Sequence, residues 1–167
     1  SATPAWAHAV HVEADRLEPA RWYWYRFRVA GEVSAVGRTR TAPAAGADSD
    51  RLRLAFASCQ QFEQGYFVAY RHMVKDDLDL IIHVGDYIYE SSWGSNHVRA
   101  HGAGEPKTLD EYRVRHALYK SDADLQTAHA SHPWLCTWDD HEVQNDYAND
   151  RSAHLDPPDG FLGRRAA

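Results

Sequence analysis

The sequence predicts an α/β domain with a largely parallel sheet, preceded by the end of a small β-sandwich, and three observations carry that fold class. After residue 50, apolar runs of strand length alternate with segments at helical spacing, as they do in βαβ units. Before residue 43, the patterned runs are aromatic and β-branched, and no helix-period stretch interrupts them. Between the two lies Ala42-Pro43-Ala44-Ala45-Gly46-Ala47-Asp48-Ser49-Asp50, which is small, polar and turn-prone. Such a stretch reads as a linker. The expected division is therefore 1–43, a linker over 44–50, and 51–167.

In the first part, His8 to Val12 and Trp22 to Val29 suit pleated, half-buried strands. The spacing Leu17-x-Pro19-x-x-x-Tyr23 sets a tyrosine just after a corner, where its phenol can bond back to the upstream backbone. This looks like the tyrosine corner of a fibronectin-III or immunoglobulin-like sandwich. A complete sandwich has about seven strands in roughly 100 residues, whereas about three fit here. The chain is expected to begin in mid-domain.

In the second part, Arg51 to Phe56 alternates basic and apolar residues and turns at Ala57-Ser58-Cys59-Gln60, a strand ending in a loop. Tyr66 to Lys75 has helical spacing, and Leu80 to Val84 is a continuous apolar run of the kind buried on both faces of a sheet. A further helix starts at the capping box Thr108-x-x-Glu111. Another is expected over 123–130, with Ser121 or Asp122 at its cap. Pro133 ends it, and Trp134 to Trp138 supplies a third apolar strand.

Composition narrows the function. With 44% hydrophobic and 25% charged residues in 167, the chain is ordinary globular protein. Lys and Arg total 18 against 24 Asp and Glu, a net charge of -6, so no basic track for a nucleic acid is evident and a nuclease is disfavoured. Mean hydropathy is -0.62, and no run approaches the roughly 20 apolar residues of a membrane span. The segment Ser1 to Trp6 carries no targeting signal. An anionic substrate would have to be attracted by something other than net charge, and a metal site would serve.

Open α/β sheets collect functional groups beyond the carboxyl ends of their strands. Three such ends carry Ser58-Cys59-Gln60, Gly85-Asp86-Tyr87-Ile88-Tyr89-Glu90 and Asp139-Asp140-His141-Glu142-Val143-Gln144-Asn145. Thiol, phenol, carboxylates, imidazole and carboxamide are the inventory of a metal site. Thiolate and phenolate suit a transition metal, and carboxylate or amide oxygen suits a harder divalent ion. Each loop alone has a blander reading. A lone Cys59 packs like a small hydrophobe, and Gly85-Asp86 is a frequent turn. Four consecutive ionisable residues from Asp139 to Glu142 are harder to place without a cation or solvent to balance them. Cys136, within the third strand, is expected to be a buried thiol. A disulfide between it and Cys59 would need Cα atoms within about 7 Å and would remove Cys59 as a ligand.

Four motifs, Phe56-Ala-Ser-Cys59-Gln60, His83-Val-Gly-Asp86-Tyr87-Ile-Tyr89-Glu90, Tyr112-Arg-x-Arg-x-Ala-Leu-Tyr119 and Thr137-Trp-Asp139-Asp140-His141-Glu142-x-x-Asn145, together resemble the PhoD-like alkaline phosphatases. These are relatives of the calcineurin-like metallophosphoesterases. The resemblance implies a metallophosphoesterase-type α/β sandwich that hydrolyses phosphate monoesters and diesters outside the cytoplasm, in the periplasm or extracellularly. It also implies an iron and calcium site. By motif position Cys59, Asp86 and Tyr89 look like ligands of Fe3+, with Asp86 bridging to Ca2+. Asp139 or Asp140 and Asn145 stand where second-metal ligands are expected. His141, with Asp140 beside it, stands where it could orient the phosphate ester or protonate its leaving group. Tyr87, between two ligands, is expected to pack away.

Members of that family continue well beyond the position of Ala167 and draw further ligands from there. Residues 1–167 are accordingly expected to be a fragment, aggregation-prone and inactive alone. His97, His101, His129, His132 and His154 are expected to be solvated rather than replacement ligands. The competing reading is a non-catalytic secreted calcium-binding or adhesion module, in which the β-segment mediates binding and the acidic loops hold structural calcium. Bound iron together with calcium would separate the two.

Overall fold

Two antiparallel ribbons fill the N-terminal part of the computed structural model, which describes residues 2–154 and 156–167. Strand β1 (Trp22–Tyr25) pairs with β4 (Gly37–Arg40), Trp22 opposite Arg40 and Tyr25 opposite Gly37. The Tyr25 ring lies directly over Gly37, where a Cβ would stand 2.2 Å from it and displace the ring. Strands β2 (Arg28–Val29) and β3 (Glu32–Val33) form a hairpin whose two central residues, Ala30 and Gly31, both take positive φ. That turn matches the right-handed twist of the flanking strands. The tyrosine corner forms as the spacing predicts: Glu18 N–H donates to Tyr23 Oη at 2.7 Å. The strand expected over His8 to Val12 does not form. Its residues are exposed, and none of the described strands lies alongside to pair with it.

The ribbon is pinned to the rest of the molecule through cations and aromatic rings. Arg38 lies over Trp22 at 4.1 Å and donates from Nε to the Ser131 carbonyl at 3.0 Å, while Arg40 pairs with Asp79.

The second part is built on a parallel sheet in the order β5 (Leu54–Ala57), β6 (Leu80–His83), β7 (Trp134–Cys136). Helices α1 (Val68–Met73), α2 (Leu109–Tyr119), α3 (Ala123–Ser131) and α4 (Pro158–Ala166) complete it. The capping box at Thr108 and Glu111 is present, and Asp122 caps α3 by accepting from Asp124 and Leu125 N–H. Cross-strand rows show which side is covered. Ala55, Ile81 and Trp134 form one row, with Ile81 fully buried beneath the helices. Phe56, Ile82 and Leu135 form the next row on the opposite side, where Phe56 is 78% and Leu135 60% exposed. The core joins Ile81 to Phe62, Tyr70, Tyr119 and Leu125. Full burial of an aliphatic side chain such as Ile81 or Leu125 contributes about 1.5–3 kcal/mol.

Several expectations change here. Cys136 is exposed rather than buried, because β7 is an edge strand whose end opens onto a cavity lined by Tyr87, His129 and Trp138. Cys59 is exposed too, and both are free thiols. Two of the histidines expected to be solvated are core residues, His101 at 6% and His132 at 2% exposure. His101 has a hydrogen-bond partner in the Tyr119 hydroxyl, and His132 sits edge-on to Trp22. His129 is half-buried and stacked on Trp134, whereas His97 and His154 are exposed. Helix α4 has no counterpart in the sequence reading. Arg164 anchors it, donating to Tyr112 Oη at 2.7 Å and pairing with Glu105. Among the described residues no helix is long and apolar enough to cross a membrane.

Candidate metal centre

Beyond β5 and β6 the backbones stay paired for two more residues, Cys59 N–H donating to the Gly85 carbonyl at 3.3 Å and Gln60 N–H to that of Asp86 at 3.1 Å. Cys59 and Asp86 both have left-handed φ, 56° and 53°. For Cys59 that conformation costs roughly 1–2 kcal/mol, and for Asp86, a residue type that adopts it more readily, less. Strain of this kind persists where surrounding structure over-determines it, and it concentrates at functional sites. The determining structure is visible for the β6 loop, where every residue from Gly85 to Glu90 is buried. Arg115 of α2 donates to the carbonyls of Tyr89 and Glu90, and Tyr119 Oη accepts from Tyr89 N–H at 3.0 Å. Tyr87 packs away from the loop tip, its ring 5.0 Å from that of His83 and its Oη 2.7 Å from His129 Nε2.

Side chains from the three strand ends meet here. Ligand-capable atoms of Asp86, Asp140 and His141 all lie within 4.8 Å of one another. Tyr89 Oη donates to Asp86 Oδ2 at 3.3 Å, and the Cys59 thiol is near enough to perturb both residues while lying outside the 4.8 Å group. The other two candidates stand apart from that group. Asp139 is exposed, and its N–H donates to Glu142. Asn145 donates its backbone N–H to Glu90 Oε1 at 2.9 Å and its side-chain amide to Asp146. Glu90, Arg115 and Tyr119 are the residues that sequence reasoning did not single out. Each lies inside a quoted motif, but nothing local in the sequence signals what it reaches.

The electrostatics favour a positive charge at this point. Burial, reinforced by Asp140, pushes the Asp86 carboxyl above its ordinary value even though His141 works against it. Burial also raises the Tyr89 phenol, and the fields of Asp86 and Cys59 raise it further. For His141, burial disfavours the charged ring, but the 2.7 Å hydrogen bond from Nδ1 to Glu90 and the fields of Glu90, Asp86 and Asp140 outweigh it and hold the imidazole above its ordinary value. Burial likewise opposes charge on Glu90, yet bonds from His141 and the Asn145 N–H keep it below the usual carboxylate range. Asp86 Oδ1 is buried and has no hydrogen-bond partner. An orphaned carboxylate oxygen among a phenol, a thiol, a second carboxylate and an imidazole fits a cation: the ion would offset the burial, and the lesser repulsion, that raise Asp86 and Tyr89.

Residues 54–167 match the family described as PhoD-like phosphatase, and residues 1–43 match its N-terminal domain. The chain belongs to the PhoD-like phosphatase family. It is 53% identical over 173 residues to alkaline phosphatase D of Bacillus subtilis (strain 168), covering 99% of this chain and 29% of that protein. A solved structure described as that of PhoD superposes with a TM-score of 0.92 at 52% identity, covering 99% of this chain and 33% of the other. The chain thus spans about a third of the length of the relatives it matches. The mixed α/β architecture, with its small sheets, is that relative's architecture over the shared length.

Proposed function

We propose that this chain carries metal-binding residues of a phosphoester hydrolase acting on phosphate monoesters, diesters or both. Cys59, Asp86 and Tyr89 would hold a ferric ion, for which thiolate and phenolate are suited ligands. Asp86 would bridge to calcium, held also by Asp140; Asn145, whose amide donates to Asp146 apart from that group, is a ligand by motif position alone. Asp140 is favoured over Asp139 because its carboxylate faces Asp86 and His141. The observation that carries the reading is the buried, unpartnered Asp86 Oδ1 where the three strand ends meet, in a chain 53% identical to an alkaline phosphatase D.

When bound, the cations supply positive charge against the equatorial phosphoryl oxygens and lower the pKa of a water at the site. The chain's own residues do the rest. Glu90 holds His141 by Nδ1, which leaves Nε2 as the nitrogen able to give a proton to the leaving oxygen. The bond to Glu90 and the carboxylates of Glu90, Asp86 and Asp140 favour the protonated ring against the burial that opposes it.

The same reading assigns 1–43 to the end of a fibronectin-III or immunoglobulin-like sandwich, 44–50 to a linker, and 51–167 to the first part of a metallophosphoesterase-type α/β sandwich. It also places the protein in the periplasm or outside the cell. The Tyr23 corner and the separate family matches before and after the linker support the division.

The test is metal analysis and turnover of p-nitrophenyl phosphate and its bis-ester by the protein expressed from its uninterrupted reading frame. Iron with calcium is expected, with activity lost on chelation and regained on restoring both ions. Calcium alone with no turnover would overturn the reading in favour of a calcium-binding module.

A further inference from the structure

At the end of β6, Gly85 and Asp86 take left-handed φ in succession, 112° and 53°. Three consecutive N–H groups, those of Asp86, Tyr87 and Ile88, thereby converge on one point, forming an anion-binding concavity of backbone amides. The carboxylate that fills it comes from the loop after β7. Glu142 Oε2 accepts from Asp86 N–H at 3.0 Å, and Oε1 accepts from Tyr87 N–H and, at 3.2 Å, from Ile88 N–H. The same Oε2 also accepts from Asp139 N–H at 2.7 Å.

We infer that Glu142 is a positioning residue whose carboxylate buckles the Asp86 loop to the Asp139–Asp140 loop and so sets how the metal-binding side chains face one another. The inference rests on the reading of this site as a metal centre. Its distribution of bonds argues against a ligand or proton-transfer role. A carboxylate offers about four acceptor positions, and four backbone N–H groups occupy them. Bonds from amides to a charged acceptor are among the stronger ones, so the buckle resists opening. A second feature marks the same junction: a Cβ at Gly85 would lie 2.5 Å from Asp139 Cβ and 2.9 Å from its nitrogen. The two loops touch there at a separation only glycine permits.

The experiment compares amide hydrogen exchange and metal affinity, by equilibrium dialysis, in the protein from its uninterrupted reading frame and in Glu142→Gln, Glu142→Asp and Glu142→Ala. Glutamine keeps the shape but turns a donor toward N–H groups. The expected result is exchange at least ~10-fold faster at Asp86, Tyr87, Ile88 and Asp139, with Ile81 and Ile82 in β6 unchanged, and metal affinity lower by about 10–100-fold, the range for partners that orient metal ligands. Glu142→Asp, charged but one methylene shorter, falls between parent and glutamine. Formate, but not chloride at equal ionic strength, restores protection at the four amides in Glu142→Ala. Unchanged protection in Glu142→Gln, exchange that rises throughout the chain, an aspartate variant no better than glutamine, or no response to formate would each overturn the inference. A parent protein that binds no metal sinks the metal reading instead, and the exchange arms still decide whether Glu142 is the buckle.

Discussion

The two strand ends that face each other across the site differ in how firmly they are held. After β6, all six residues from Gly85 to Glu90 are buried, and their backbone is bonded from α2 by Arg115 and Tyr119. After β7, Asp139 is exposed and Asp140, His141 and Glu142 are only half-buried. The first loop is a fixed, desolvated bed in which burial raises Asp86 and Tyr89. The second brings solvated acids and an imidazole up to that bed. Neither is sufficient alone, since the group within 4.8 Å takes Asp86 from one and Asp140 and His141 from the other.

If the bed dominates, the largest effect belongs to Asp86. Asp86→Asn should remove turnover and metal retention by more than the ~100-fold upper range of an orienting partner, while thermal unfolding stays cooperative. Metal content within about twofold of the parent would show that the buried loop does not carry the site.

On the more exposed side the difference should lie within the acidic pair. Asp140→Asn is expected to weaken calcium retention by roughly 10-fold, given a carboxylate facing another across a desolvated site. Asp139→Asn should change it little. Equal calcium content and turnover in both variants and the parent would show that the run is a solvated loop.

A smaller effect belongs to the sheet itself. His83, in β6 just before the bed, is fully buried with neither ring nitrogen bonded, and burial lowers its pKa to about 4. Burial lowers His101 to about 4 as well. Above the ordinary value of 6.5 both folded and unfolded chains carry these rings neutral. Below it the unfolded chain takes up protons that the folded chain refuses, so stability falls as pH drops from 6.5 toward 4. Urea unfolding at pH 7 and pH 5 should show this loss, and His83→Leu should show less of it. An identical loss in the variant would mean that His83 is not desolvated as described.

What was legible in the sequence was local. The capping box at Thr108, the cap at Asp122, the corner at Tyr23 and the three strand ends each lie within a few residues of their own signal. The features that escaped depend on distant partners. Glu142 reaches amides 54 to 56 residues away, and Arg115 holds carbonyls 25 and 26 residues away. His101 and His132 were misread because a polar side chain reveals nothing about burial until its partner, here Tyr119 or the Arg38–Trp22 pair, is known. Helix α4 escapes because of Gly160 and Gly163, poor helix formers that here stand in a helix tied through its own Arg164 to Tyr112 and Glu105. His8 to Val12 shows the converse: strand-like composition forms no strand without a neighbour.

On the proposed function, strand-end side chains converge on a cation, with Tyr89 as a direct ligand from the buried bed. The visible spectrum of the iron-loaded protein, expressed from its uninterrupted reading frame, tests this most directly. A phenolate on a ferric ion should give a ligand-to-metal charge-transfer band, and Tyr89→Phe should bleach or shift it. An iron-loaded protein without colour, or a variant whose spectrum matches the parent, would contradict the account.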